Sequence, residues 1–243
     1  MAISLKNKVA LITGAGSGIG RSMAVAFAKE GMNIVLFGGR RADKLEKTKK
    51  IAEQYSDCYV IPGDITDLDN TDKMLEEAYE HFGRIDVVVN NAGMALNKSF
   101  EDITMDEFDA IMNVDVKVPY FIMQKSLKYL RESETPEIIN ISSVVGHDGY
   151  PMQSAYVAAK HAVIGFSKSI ARELYKEGIR VHVISPGGVY TDMAKVARPD
   201  LTGVNMIMPE DIAEIAVFML KFRGNAVVDE INVHRETKEP FLV

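Results

Sequence analysis

The residues with the clearest chemical capacity lie in the stretch SAYVAAKHAV, which holds a tyrosine and a lysine. Tyr156 and Lys160 are four positions apart, so a helix would present both side chains on one face. A free tyrosine has a pKa of about 10, and a nearby ammonium lowers that pKa because it favours the phenolate. Two serines, Ser142 and Ser143, precede the pair at the end of the apolar run EIINIS. The tyrosine–lysine spacing alone is a weak signal, and its position after these serines is what points to acid–base chemistry.

A glycine-rich stretch, TGAGSGIG at residues 13–20, follows the apolar run KVALI. Its spacing matches neither the dinucleotide fingerprint G-x-G-x-x-G nor the P-loop, which needs a lysine where Arg21 stands. We interpret Gly14 as permitting a tight turn, Gly18 as letting the backbone approach a phosphate, and Gly20 as letting helix and strand pack. The N-terminal amides and the dipole of the following helix would then face a pyrophosphate.

Short apolar runs alternate with segments of helical periodicity along the chain. The runs are mostly continuous, as expected of parallel strands that are covered on both faces. We predict strands at 8–13, 33–37, 58–61, 86–90, 137–142, 180–185 and, more weakly, 230–234. Two long helical patterns lie around residues 104–131 and 155–177. This alternation predicts right-handed crossovers, a doubly wound α/β sheet and one domain over residues 1–243.

Polar residues follow several of the predicted strands, at the edge where parallel sheets bind their ligands. Asp64 comes after the third strand, where its carboxylate could accept a hydrogen bond from an adenine amine. Asn90 and Asn91 close the fourth strand, and Thr191 follows the proline–glycine turn after the sixth. We therefore expect these residues to line one cleft together with the glycine-rich stretch and the serines.

Composition argues against several classes of protein. The chain has 243 residues, of which 47% are hydrophobic and 26% are charged, as in ordinary globular proteins. Its net charge is -6 and it has no long basic run, so we expect no nucleic-acid partner. No apolar stretch is long enough for a membrane span, and the N-terminus does not resemble a signal peptide. We therefore expect a cytoplasmic protein that does not bind a membrane.

The cysteine and histidine content limits the possible metal sites. Cys58 is the only cysteine, which rules out an intramolecular disulfide and a cysteine-based metal site. Its neighbours in CYVI predict an inert, buried thiol. None of the five histidines is spaced with a carboxylate as metal ligands are, so we predict no catalytic metal.

Taken together, these motifs resemble those of the short-chain dehydrogenase/reductase family, in its single-domain branch. The glycine motif of that family, T-G-x-x-x-G-x-G, matches TGAGSGIG, so the stretch is a Rossmann loop with its glycines respaced. NNAG at 90–93, Asn113, Ser143, Y-x-x-x-K and PGGVYT also match, in the same order along nearly the whole chain. The resemblance implies a single Rossmann domain with a mostly parallel seven-stranded sheet, in the order 3-2-1-4-5-6-7, flanked by helices.

The resemblance also implies the roles of particular residues. Tyr156 would be the general acid in carbonyl reduction and the base in alcohol oxidation, while Lys160 would perturb Tyr156 and bind the nicotinamide ribose. Ser143 would orient the substrate oxygen, and Asn113 would hold a water that links Lys160 to solvent. The implied cofactor-binding residues are Gly14, Ser17, Gly18, Ile19, Gly20, Arg40, Arg41, Asp64, Ile65, Asn91, Ala92, Gly93, Tyr156, Lys160, Pro186, Gly187, Val189 and Thr191.

The end of the second predicted strand indicates which cofactor is preferred. NAD-binding relatives usually place an acidic residue there, which accepts a hydrogen bond from the ribose 2′-hydroxyl. In this chain LFGGRRADKL has Arg40 and Arg41, with no carboxylate before Asp43. An arginine fork suits a 2′-phosphate, so NADP(H) is favoured over NAD(H). Two solvated arginines at a helix start are the alternative, and one glycine more than usual precedes them.

We therefore expect an NADPH-dependent reductase of ketones or aldehydes, which interconverts a carbonyl and a secondary alcohol of a small molecule. The alternative is a 3-oxoacyl-[acyl-carrier-protein] reductase, although charged residues replace the glycines that usually follow the last strand in that group. More distant alternatives are a catalytically silent NAD(P)-binding regulator and a P-loop phosphotransferase. The resemblance also implies a homo-oligomer, either a dimer or a homotetramer, paired through the helices around 104–131 and 155–177.

Overall fold

The computed structural model describes residues 2–39, 41–197 and 202–239. Their central feature is a sheet of seven strands: β1 (Val9–Thr13), β2 (Asn33–Phe37), β3 (Cys58–Ile61), β4 (Val87–Asn90), β5 (Glu137–Ile141), β6 (Arg180–Pro186) and β7 (Glu230–Val233). The strand order is β3-β2-β1-β4-β5-β6-β7, and every neighbouring pair is parallel. The predicted fold class and strand order are therefore confirmed, and the strand ends differ from those predicted by at most about one residue.

The described residues also form the following α-helices: α1 (Gly18–Lys29), α2 (Ala42–Ala52), α3 (Leu68–Phe82), α4 (Met105–Met112), α5 (Val118–Leu130), α6 (Ser154–Leu174), α7 (Asp192–Ala197) and α8 (Pro209–Lys221). Local sequence explains several of their ends. Asp67 caps α3, because its side chain accepts a hydrogen bond from Asn70 N at 3.2 Å. Gly83 ends the same helix in the left-handed conformation, with φ of 71°.

The helical pattern around 104–131 is not one continuous α-helix, which corrects the sequence prediction. A capping box between Thr104 and Glu107 begins α4, and a π-helical turn, Asn113–Lys117, separates α4 from α5. Pro119 lies in the first turn of α5. A proline there has no N–H to donate to Asp115 O, and its ring crowds that carbonyl, so the regular α-helical ladder cannot run through this point.

Hydrophobic side chains pack on both faces of the sheet. In β1 the consecutive residues Leu11 and Ile12 are both fully buried, and they belong to opposite core clusters. The cluster with Ile12 includes Phe27 of α1, whereas the cluster with Leu11 includes Leu75 of α3. This two-sided burial explains why the strands are continuous apolar runs rather than alternating ones.

Cys58 is buried, as predicted, and burial raises the pKa of its thiol to about 12. Within the described ranges, no helix combines the length and the apolar character that a membrane crossing needs.

Candidate active site

The carboxyl ends of β1, β4, β5 and β6 lie side by side, because these four parallel strands are neighbours in the sheet. The segments that follow them therefore meet at one edge. They contain the glycine turn (residues 13–20), the NNAG segment (residues 90–93), Ser143 and the turn after Pro186. The predicted cleft is thus assembled by topology alone.

The glycine turn is packed too closely for side chains at two of its glycines. Gly14 has φ of +66°, and a Cβ there would lie 2.8 Å from Ala92 Cα. A Cβ at Gly20 would lie 2.7 Å from Gly14 O and would also overlap the Asn91 amide. Gly18 has φ of +53° and begins α1, with Ser17 as its N-cap residue. The Ser17 side chain makes no capping hydrogen bond, which leaves the first N–H groups of α1 available to an anion.

Asn91 and Thr13 connect the glycine turn to the end of β4. Asn91 Nδ2 donates to the carbonyl oxygens of Thr13 at 2.9 Å and of Gly14 at 3.3 Å. Thr13 Oγ1 in turn accepts from the backbone N–H groups of Asn91 and Ala92, each at 3.0 Å. The Asn91 side chain therefore holds the turn in shape. Sequence reasoning did not single out Thr13, although its place at the strand end was a usable signal.

Ser143, Tyr156 and Lys160 come together at the carboxyl end of β5. Ser143 Oγ donates to Pro186 O at 3.3 Å and is hydrogen-bonded to Tyr156. Tyr156 and Lys160 lie one turn apart on α6, and Lys160 Nζ is 5.5 Å from the centroid of the Tyr156 ring. Lys160 Nζ also donates to Ile141 O at 3.2 Å. The hydroxyl, the phenol and the ammonium that the sequence predicted to act together are thus adjacent.

Asn113 begins the π-helical turn beside these residues. Its Oδ1 atom is buried, and it has no hydrogen-bond partner among the residues that the structure describes. A buried carbonyl oxygen without a donor is costly unless a water or a ligand supplies one. The site therefore has an acceptor in place for a further hydrogen-bond donor.

Asp115, in the same π-helical turn, is a residue of this site that sequence reasoning missed. Its side chain is fully buried, and Oδ2 lies 3.1 Å from Lys160 Nζ. Oδ1 accepts from Met94 N at 2.8 Å. A Cβ on Gly93 would lie 3.0 Å from Oδ2, so the carboxylate fits against the backbone there. An acidic residue within the apolar sequence NVDVKV, two positions after Asn113, was the available signal.

Burial controls the electrostatics of this cluster. It raises the pKa of Tyr156, and this effect outweighs Lys160 and the Ser143 hydrogen bond, which act to lower it. Lys160 thus acts on the Tyr156 pKa in the predicted direction, but the net pKa is raised because burial is the larger effect. Burial also disfavours the ammonium of Lys160, but Asp115 and Tyr156 raise the pKa of Lys160 above its usual value. Burial raises the pKa of Asp115, and the Lys160 ammonium offsets part of that rise.

The residues after β2 and β3 lie at the far end of the cleft. Asp64 Oδ1 accepts from Thr66 N at 3.0 Å and from Thr66 Oγ1 at 2.7 Å. Gly38 has φ of +72°, and a side chain there would overlap Ile65. Gly39 N donates to Gly63 O at 2.7 Å, which joins the two segments. The pair of glycines before the arginines is therefore needed for this close contact.

Of the two predicted arginines, Arg40 lies outside the described residues and Arg41 lies within them. Arg41 is exposed at the N-cap position of α2 and makes no capping hydrogen bond with its side chain. On the same helix, Lys44 Nζ forms an ion pair with Asp192 Oδ2 of α7 at 3.2 Å.

The segment after β6 completes the cleft on the other side. Gly187 N donates to Val233 O at 2.7 Å, and Val189 pairs with Ile207. Thr191 lies beside the glycine turn, since a Cβ at Gly18 would be 3.0 Å from Thr191 Cγ2. The two elements border a cavity of about 180 Å³, lined by Ser17, Gly18, Arg21, Ser22, Tyr190, Thr191, Asp192, Lys195, Pro209 and Glu210. Of the predicted site residues, Ser17, Gly18 and Thr191 line this cavity.

Comparison with known proteins agrees with this arrangement. The family model described as short chain dehydrogenase matches residues 8–202. The chain is 34% identical over 229 residues to an uncharacterized oxidoreductase of Staphylococcus aureus, and the match covers 94% of this chain and 97% of that protein. The chain therefore belongs to the short-chain dehydrogenase family, and it is an oxidoreductase of that family.

Solved structures of the family show similar folds. A short chain dehydrogenase from Mycobacterium paratuberculosis bound to NAD superposes with a TM-score of 0.85 at 28% identity, covering 96% of this chain and 97% of that one. An alcohol dehydrogenase from the archaeon Thermococcus sibiricus, complexed with 5-hydroxy-NADP, gives a TM-score of 0.88 at 26% identity, covering 96% and 98%. The similar structures thus include one with NAD and one with an NADP derivative.

Proposed function

We propose that this protein is an NADPH-dependent reductase of ketones or aldehydes, which interconverts a carbonyl and a secondary alcohol. The observation that carries the proposal is the contact of Ser143, Tyr156 and Lys160 at the sheet edge that also holds the glycine turn. An acid, a hydroxyl and a dinucleotide cradle at one edge are what hydride transfer to a carbonyl requires.

The residues present fit a nicotinamide dinucleotide. Gly14 and Gly20 keep the turn free of side chains, and the uncapped start of α1 offers N–H groups to a pyrophosphate. Beyond these, we assign cofactor contacts to the other predicted positions: Ile19, Arg40, Arg41, Asp64, Ile65, Asn91, Ala92, Gly93, Pro186, Gly187, Val189 and Thr191. The cofactor supplies the hydride when it is bound.

The chain's own residues handle the substrate oxygen and its proton. Ser143 orients the substrate carbonyl by donating a hydrogen bond to its oxygen. Tyr156 donates its phenolic proton to that oxygen in reduction and accepts it in the reverse direction. Lys160 stabilises the phenolate that is left and binds the nicotinamide ribose. Asn113 holds the water through which Lys160 exchanges protons with solvent, in keeping with the unpartnered Oδ1.

The preference for NADP(H) over NAD(H) is also a proposal. It is supported by Arg41, which is exposed and follows the end of β2 by four positions, and by Arg40, which precedes it in the sequence. The chain has no carboxylate between Phe37 and Ala42 that could accept from a ribose 2′-hydroxyl. Arginine binds phosphate with two parallel hydrogen bonds, which favours the phosphorylated cofactor.

The remaining expectations belong with this function. We propose that residues 1–243 form one catalytic domain that works in the cytoplasm on a small molecule. We propose further that it is a homo-oligomer, a dimer or tetramer. Tyr120 is 40% exposed and lines a surface depression of about 700 Å³ on α4 and α5, a surface that a second copy could cover. Light scattering on the purified protein measures the oligomeric state.

Titration of the purified protein with NADPH and NADH tests the cofactor. We expect NADPH to bind at least about tenfold more tightly, and the Arg40→Ala/Arg41→Ala double variant to lose that preference. Lys47→Ala is the matched control, because Lys47 is an exposed cation on α2 with a carboxylate partner, Asp43. Equal affinity for the two cofactors, or an unchanged preference in the double variant, overturns the 2′-phosphate assignment.

Turnover tests the reaction itself. NADPH oxidation is followed with a panel of small ketones and aldehydes, and the product alcohols are identified by mass spectrometry. We expect Tyr156→Phe to lower kcat by about a hundredfold or more while NADPH still binds. A variant that turns over as fast as the wild-type protein overturns the role of Tyr156.

A further inference from the structure

We propose that Asp115 is a positioning residue of the active site, whose buried carboxylate fixes the Lys160 ammonium and offsets part of its charge at Tyr156. The inference rests on the proposed function, because it concerns how the proposed proton donor is controlled. Asp115 is an anion in a cluster for which the sequence motifs had predicted only a cation, Lys160, a phenol, Tyr156, and neutral groups.

The geometry of the ion pair carries the proposal. Asp115 Oδ2 lies 3.1 Å from Lys160 Nζ, and the two side chains are 0% and 7% exposed. Lys160 Nζ is held from a second direction by Ile141 O, at 3.2 Å. The ion pair with Asp115 and the hydrogen bond to Ile141 O thus define where the ammonium lies, and with it the distance to the Tyr156 ring. Removing one partner of such a buried pair leaves the other charge uncompensated.

The carboxylate itself is also fixed. Its Oδ1 atom accepts from Met94 N at 2.8 Å, which ties it to the segment after β4. The π-helical turn presents Asp115 inward, while Lys117 in the same turn is exposed. Asp115 therefore joins three parts of the site: the segment after β4, the π-helical turn, and Lys160 on α6.

The titratable groups that face Asp115 are Lys160 and Tyr156, both from α6. The segment after β4 contributes the N–H of Met94. The charge of Asp115 disfavours the Tyr156 phenolate, while the charge of Lys160 favours it. Loss of the Asp115 charge therefore makes the first proton of the Tyr156–Lys160 pair easier to remove, whichever of the two groups releases it.

A titration that needs no substrate tests this directly. The protein is labelled with 3-fluorotyrosine, and the Tyr156→Phe variant identifies the ¹⁹F NMR signal of residue 156. The pH of its first transition is then compared in the wild-type protein, Asp115→Asn and Asp115→Ser. The asparagine keeps the shape of the side chain and can still accept from Met94 N, whereas the serine is a smaller neutral replacement. Asp109→Asn is the matched control, because Asp109 is an exposed carboxylate on α4.

We expect the first transition to fall by about one pH unit in both Asp115 variants and to stay in place in Asp109→Asn. An unchanged transition in a folded Asp115 variant, verified by its thermal melt, overturns the proposal. A fall of similar size in the Asp109→Asn variant also overturns the proposal, because the transition would then respond to the net charge of the protein and not to the position of Asp115. Failure to find a reducible carbonyl would count against the proposed function alone, because the titration does not depend on turnover.

A kinetic measurement separates positioning from general support of the fold. If carbonyl reduction is found, Asp115→Asn should move the alkaline limb of the pH profile of kcat, where Tyr156 loses the proton that it donates, in the same downward direction. A variant that merely loosens the structure lowers the melting temperature and the rate at all pH values, without moving that limb. The latter pattern overturns the positioning role.

Discussion

Asn91 Nδ2 donates to Thr13 O at 2.9 Å, so the end of β4 is tied to the turn that follows β1. The same nitrogen lies 3.3 Å from Gly14 O, within the glycine turn. Gly20 packs against the Asn91 amide and against Gly14 O, since a Cβ at Gly20 would overlap the amide and would lie 2.7 Å from that oxygen. The start of α1 is therefore held against the strand ends by contacts that leave no room for one more carbon atom.

Gly20→Ala is expected to disturb this contact and weaken cofactor binding by about tenfold or more, because the turn must move away from Asn91 and Gly14. The overlap with backbone should also lower the free energy of unfolding by about 1–3 kcal/mol. Titration with NADPH and urea unfolding measure the two effects.

Gly165→Ala is the control for this change. Gly165 also lies in a helix, but a Cβ there would meet no atom within 4 Å. We expect it to leave NADPH affinity unchanged and to raise stability by about 0.5–1 kcal/mol, through helix propensity. NADPH affinity of Gly20→Ala equal to that of Gly165→Ala would show that the contact does not matter.

Asp86→Asn is expected to destabilise the protein in a pH-dependent way. Burial acts to raise the pKa of Asp86, but hydrogen bonds from Arg84, Ser133 and Val9 N lower it below its usual value. A depressed pKa stabilises the fold above the unfolded-state pKa of about 3.9, and this contribution is lost as the pH falls through the lower folded-state pKa. We expect a loss of about 1–3 kcal/mol near neutral pH, because the hydrogen bonds to the charged carboxylate are lost while the half-exposed Arg84 stays solvated.

Urea unfolding of wild-type protein and Asp86→Asn, near neutral pH and again below about pH 3, checks the sign. The difference between them should shrink at the acidic pH. The exposed Asp57 provides the control, and Asp57→Asn should match wild type within about 0.5 kcal/mol throughout. If the free energy of unfolding of Asp86→Asn differs from that of wild type by the same amount at both pH values, the charge of Asp86 is not the cause of the destabilisation.

Cys58 should not react with thiol reagents in the folded protein. It is 2% exposed, and burial raises its pKa to about 12. Near pH 8 only about one thiol in ten thousand is ionised, and the thiolate is the reactive form. We expect no labelling by Ellman's reagent under native conditions and one thiol per chain in concentrated guanidinium, because Cys58 is the only cysteine. Rapid native labelling would show that the edge strand β3 opens readily.

The adjacent serines should differ in their effects. Ser142 Oγ donates to Lys160 O at 3.1 Å within the fold, whereas Ser143 Oγ faces the cleft beside Pro186. We expect Ser142→Ala to lower stability by about 1 kcal/mol and to leave kcat within about threefold of wild type. Ser143→Ala should lower kcat by about a hundredfold with little change in stability. Once a substrate is found, steady-state kinetics give kcat and urea unfolding gives the stability of both variants. A larger loss of kcat in Ser142→Ala than in Ser143→Ala would assign the catalytic role to Ser142.

Local pattern was enough to predict most of the secondary structure, and the resemblance to a known family indicated most residues of the candidate site. A continuous apolar run such as that of β2 (Asn33–Phe37) predicts a parallel strand that is buried on both faces, once helical segments are seen to alternate with such runs. The glycine turn, Tyr156 and Lys160 were likewise predictable, because their spacing is fixed along one turn or one helix. Topology then brings strand ends together, so residues far apart in sequence can be assigned to one cleft.

Interactions between distant segments were decided only by the tertiary structure. The pairing of Asp115 with Lys160 depends on a π-helical turn whose cause, Pro119, does not by itself say which side chain turns inward. The raised pKa of Tyr156 depends on the balance between burial and three neighbouring groups, which the spacing of residues in the sequence does not give. Sequence determines which groups a chain carries and how they repeat, whereas distance and dielectric environment arise only when separate elements pack.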